Sequence, residues 1–141
     1  MSSTLTFTQS AFLEGKTFST ATTANVSYDI LSATTVDRRV YGISVASTDA
    51  GAQTVKLYLN DGSSEYQLYT YSLAANAGNS TTISAADIFG DSKIAPLFQK
   101  QRDANGVPYF NLPANWSIRI QYGTALATVE QIHVLTFGER Y

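Results

Sequence analysis

The sequence predicts an all-β protein whose two antiparallel sheets pack face to face, with one short helical insertion. Three observations carry this expectation. β-Branched and aromatic residues alternate with polar ones in several short runs. Turn signals separate those runs at intervals of about eight to twelve residues. One of the turns, Asn60-Asp61-Gly62-Ser63, is a strong hairpin signal, because Asp-Gly tolerates the positive φ that tight hairpins demand.

Residues 1–28 read as an extended arm or one to two edge strands. The stretch is Ser/Thr-rich with isolated aromatics, and Phe7, Phe12 and Phe18 share no clean period that would assign a face. Residues 29–141 form the sandwich domain. In 39–47 (RVYGISVAS) Tyr41, Ile43 and Val45 are expected on one side, followed by a turn at 48–51. In 53–60 Val55, Leu57 and Leu59 are expected inward, and 65–73 returns from the hairpin. After a loop at 74–82, Ser84 as a hydroxyl N-cap with Asp87 three residues on predicts a helix start. A second short turn is expected from Lys93 to Lys100, limited by Pro96. Trp116, Ile118, Ile120 and Tyr122 alternate as a half-buried strand. The last strand, 127–141, is apolar on both sides between Ile132 and Phe137, so it is expected to be central or covered on both faces. Seven or eight strands with one helical insertion near 84–100 favour a two-sheet β-sandwich of jelly-roll-like form.

The bulk properties narrow the function classes. A chain of 141 residues fits one domain and buries roughly two-thirds of its unfolded surface. Without cysteine it has no disulfide, thiolate metal site or cysteine nucleophile. Charged residues make up 14 %, against about 25 % in ordinary soluble domains. Ser and Thr supply close to a quarter of the chain. Low charge with many hydroxyls and tyrosines suits a surface that packs against neighbours. A net charge of -2 with short basic groups at Arg38-Arg39 and Lys100 to Arg102 argues against nucleic acid. No signal peptide or membrane-length apolar run is expected.

No catalytic constellation emerges. The single histidine, His133, sits inside a strand between Ile132 and Val134, where packing or an interface explains it better than catalysis. Asp49, Asp61, Asp91 and Asp103 lie in turn-like contexts, where the side chain bonds the local backbone. Residues 60–65 (NDGSSE) lack the alternating acids of a calcium loop. No phosphate-binding glycine loop occurs, so no enzyme, metal or cofactor is expected. One surface feature stands out. A hairpin loop of two or four residues would put Tyr69 and Tyr71 on the outward face with Tyr58, around Lys56. Tyrosines bury a ring and keep a polar tip, which suits an interface. The alternative is that the same chain covers this face.

Two runs carry a family resemblance: LPANWSIRIQYGTALAT with the terminal VEQIHVLTFGERY, and RVYGISVASTDAGAQTVKLYLNDGS. Together, as 39–63 and 112–141, they resemble small jelly-roll-like virion proteins of tailed bacteriophages. The resemblance implies a non-enzymatic capsid decoration or cement protein in the virion, assembled in the host cytoplasm. It implies binding to the major capsid protein or another virion protein, and a homo-oligomer, with a trimer favoured. In that reading Phe7, Phe12 and Phe18 anchor or swap the arm, and no membrane is involved. The alternative expectation is a carbohydrate- or receptor-binding module of a tail fibre or spike that stacks sugars on Tyr58, Tyr69 and Tyr71.

Overall fold

A computed structural model of the chain describes residues 10–88, 90, 91, 93 and 101–140. The described residues form ten strands: β1 (Ser10–Phe18), β2 (Tyr28–Leu31), β3 (Arg38–Ser47), β4 (Gln53–Asn60), β5 (Glu65–Leu73), β6 (Ala86–Asp87), β7 (Gln101–Arg102), β8 (Pro108–Leu112), β9 (Ser117–Tyr122) and β10 (Ile132–Arg140).

One sheet has the order β1-β10-β3-β8-β7, with β6 also paired to β3; the other has the order β2-β9-β4-β5. Every pairing is antiparallel. The chain crosses between the sheets after β1, β2, β3, β5, β8 and β9. Alternation explains why the layers close. Phe12, Phe18, Val40, Ile43, Val45 and Val134 face inward from the first sheet. Leu31, Val55, Leu57, Leu73, Ile118 and Ile120 face them from the second. At about 25 cal/mol per Å² of apolar surface removed from water, this shared layer drives the two sheets together.

β10 is an inner strand of its sheet, next to the edge strand β1 and paired with β3 on its other side, and Ile132 and Val134 are buried on its inner side. Among the described residues nothing covers its outer side, where Leu135 and Phe137 remain exposed. Arg38 is fully buried at the far end of the core. Its Nη2 donates to the Trp116 carbonyl at 3.1 Å, while Nε and Nη1 have no partner among the described residues. Burial lowers its pKa, and the field of Glu14 opposes that shift.

The helix expected within 84–100 is not formed among the described residues. Ala86 and Asp87 instead pair with Val45 and Ser44 as β6. The Ile88 N–H donates to the Ile43 carbonyl at 3.0 Å, and Ile88 is fully buried. An open edge of β3 and an apolar slot outweigh a local capping signal there. Most of the expected turn at Lys93 to Lys100, and Phe7, lie outside the described residues.

Three pairings carry register shifts, and two of them decide where tyrosines point. In β3, Phe137 pairs with Gly42 but Gly138 pairs with Val40, so Tyr41 is the extra residue. Tyr41 therefore does not share a face with Ile43 and Val45, as alternation predicts. In the β4–β5 hairpin, Tyr58 pairs with Gln67 but Leu57 pairs with Tyr69, so Leu68 is extra.

Candidate functional site

The second bulge divides the expected tyrosine patch. The hairpin loop has the four residues 61–64 between paired Asn60 and Glu65. On its own that loop would send Tyr69 and Tyr71 outward. The additional residue at Leu68 rotates them to the face of Val55 and Leu57, where both pack against the core. Their rings lie 6.1 Å apart. Tyr58 and Lys56 stay on the opposite, outer face, where the Tyr58 hydroxyl donates to Gln121 Oε1 at 3.0 Å. A three-tyrosine stacking platform is therefore not assembled.

Tyr69 has a different task. It packs against the core and bonds Asp91, in the segment after β6. Desolvation first, then its bond to Asp91, raises the Tyr69 phenol well above its ordinary value. The Lys93 N–H, then Tyr69, hold the Asp91 carboxyl below its usual range.

The four turn aspartates behave as their contexts predict. Asp49, Asp61, Asp91 and Asp103 each accept a backbone N–H from two residues on: Gly51, Ser63, Lys93 and Asn105, at 2.8–2.9 Å. Asp61 and Asp103 are held below the carboxylate range chiefly by such bonds. The Tyr41 hydroxyl reaches Asp103 Oδ2 at 3.0 Å and Glu139 Oε2 at 3.3 Å, beside Arg39 stacked on Tyr109. A single phenol proton serves one of those carboxylates at a time. His133 is exposed on the outer face of β10, with Nδ1 3.2 Å from the Thr17 hydroxyl. Among the described residues no three of His, Cys, Asp and Glu converge as metal ligands.

The two outer faces differ in character. The outer face of the β2-β9-β4-β5 sheet is polar. Arg119 there pairs with Asp29 at 2.7 Å and Glu65 at 3.4 Å. The outer face of β1, β10 and β3 is largely apolar and presents Leu13, 68 % exposed, with Leu135 and Phe137. Phe12 and Phe18, expected as anchoring residues, face the chain's own core from β1. The signal for the apolar face was present in the sequence as the two-sided apolar run 132–137.

A third surface is the end formed by the loops 19–27, 48–52, 74–85 and 123–131. Backbone bonds knit these loops: Asn25 to Tyr122, Thr48 to Gln131, Asn76 to Asp49 and Ser47 to Ala77, at 2.8–2.9 Å. Gln53 ties in Thr124 and Asp49 by its side chain. This end exposes Val26, Ile83 and Val129. Val129 is 90 % exposed and has φ 66°, a left-handed conformation that a β-branched residue adopts only under strain. No motif in the sequence announces it.

No protein-family model matches this chain, and no curated protein is significantly similar to it.

Proposed function

We propose that the sandwich is a jelly roll and that the chain is a non-enzymatic structural protein of a tailed-phage virion, a decoration or cement protein that binds the head lattice. The strand order supports the fold reading. Strands β1-β10-β3-β8 opposite β2-β9-β4-β5 are the arrangement of two interlocked Greek keys, an architecture shared by viral coat and lectin domains. Fold alone does not give function, so the binding surface carries the reading.

That surface is the knitted loop end, and the observation that carries the proposal is Val129, apolar, exposed and strained at its tip. The mechanism is passive. Val26, Ile83 and Val129 fill small apolar depressions between lattice subunits. Many copies, each held weakly, then stabilise the shell by multivalency.

The experiment is co-sedimentation of the full-length protein with phage heads. The parent chain is expected to pellet with them, and Val129→Asp combined with Ile83→Asp to stay in the supernatant with a melting temperature no lower than that of the parent. A parent chain that never associates with heads, or equal pelleting of the double variant, overturns the reading.

A further inference from the structure

We propose that the outer face of β1, β10 and β3 is a two-fold interface for a second copy of this chain. The inference stands apart from the virion reading, since such a dimer forms in solution without a particle.

Edge-to-edge association is blocked first. β1 is a long edge strand, but its inward positions carry Glu14, paired with Arg140 at 3.3 Å, and Lys16, over the Tyr28 ring at 5.4 Å. Charges pointing inward from an edge strand are a known guard against strand addition. On the other sheet β5 is bulged at Leu68, and β2 has only four residues with a register shift. Among the described residues the apolar face of β1, β10 and β3 carries no such guard.

Its pattern is self-complementary. Across the strands one row is bulky: Leu13 pairs with Phe137, whose ring covers Gly42. The next row is slim at its flanks: Gly15 and Ser44 stand on either side of Leu135. Beside Leu135 a hollow of about 340 Å³ opens between Gly15, Ser44, Ala46 and His133. A two-fold axis in the plane of the face, perpendicular to the strands at the level of Thr136, lays one copy antiparallel on the other. It sets Leu13 over Gly15, brings Phe137 against Leu135, and turns the Phe137 ring, which lies over Gly42, toward Ser44 of the other copy. Each contact occurs twice, as an isologous interface requires.

Charge agrees with the same register. The axis that exchanges 135 with 137 also exchanges 133 with 139, so His133 of each copy meets Glu139 of the other. His133 Nδ1 lies 3.2 Å from the Thr17 hydroxyl, which leaves Nε2 free to donate to that carboxylate in the tautomer that carries its proton there. The face spans about 20 Å by about 15 Å. That is about 300 Å² per copy, below the size of a stable specific interface, so the dimer is weak and reversible.

The test is sedimentation equilibrium of the full chain over a concentration series. A monomer–dimer equilibrium is expected, weakened at least tenfold by Leu135→Asp and by Leu13→Lys, with melting temperatures near that of the parent. Because the chain has no cysteine, Leu13→Cys and Gly15→Cys variants can be mixed and treated with a short bismaleimide. Cross-linked dimer is expected in the mixture far above either variant alone. A strict monomer at millimolar concentration overturns the proposal, as does an oligomer that both face variants leave intact. Cross-linking no better in the mixture than in each variant alone also overturns it.

Discussion

Gly138 faces the Arg39 carbonyl oxygen so closely that no β-carbon fits between them. The contact sits beside the bulge at Tyr41, where β3 bends toward β10. Gly42, one position beyond Tyr41, is also crowded, but by the tip of the Phe137 ring, a side chain able to swing into solvent. The two glycines therefore predict different costs. Gly138→Ala forces backbone apart and is expected to destabilise by about 3 kcal/mol or more, while Gly42→Ala displaces a ring for about 1 kcal/mol. Urea unfolding of both variants checks the order. Equal midpoints would show that the bulge relaxes freely.

Thr136 is fully buried on the inner side of β10, and its hydroxyl has no hydrogen-bond partner among the described residues. Thr136→Val keeps the shape and removes an unsatisfied polar group. It is expected to raise stability by about 1 kcal/mol, read as a higher denaturant midpoint with an unchanged slope. A loss of stability would mean that the hydroxyl is satisfied in solution.

Val129→Asn places a residue that tolerates positive φ at the strained tip. Stability is expected to increase by about 1 kcal/mol, while association with heads weakens because the apolar tip is gone. Circular dichroism melts and the co-sedimentation assay read the two effects separately.

The phenols of Tyr41, Tyr58 and Tyr69 are all held above their ordinary value of 10, desolvation being the first cause in each. Above pH 10 the unfolded chain releases these protons before the folded one does. Their contribution to stability is thus complete below pH 10 and is lost as pH rises beyond it. Asp61, Asp91 and Asp103 are shifted the other way, below 3.8. Their contribution is present above that value and lost as pH falls through the folded pKa. Melting temperature against pH is expected to be level between these limits with respect to these groups. Tyr69→Phe is expected to lose less stability between pH 8 and pH 11 than the parent, and an identical alkaline slope would contradict the assignment.

Much of the sandwich was legible because alternation and turn chemistry are local. The Gln53–Asn60 and Glu65–Leu73 strands follow from period-two patterning on either side of Asn60-Asp61-Gly62-Ser63. Asp49, Asp61, Asp91 and Asp103 were readable as turn residues for the same reason.

What the sequence determined was which residues alternate and where the chain must turn, since each depends on a few neighbouring side chains. Tertiary structure decided which way those side chains point and what lies over them. One additional residue at Tyr41 and another at Leu68 reverse the facing of three tyrosines, because a bulge is fixed by the partner strand and leaves no local mark. The open edge of β3 likewise drew Ala86 and Asp87 into a strand where a capping signal favoured helix. That Leu13, Leu135 and Phe137 share one uncovered face depended on β1 and β10 becoming neighbours from opposite ends of the chain.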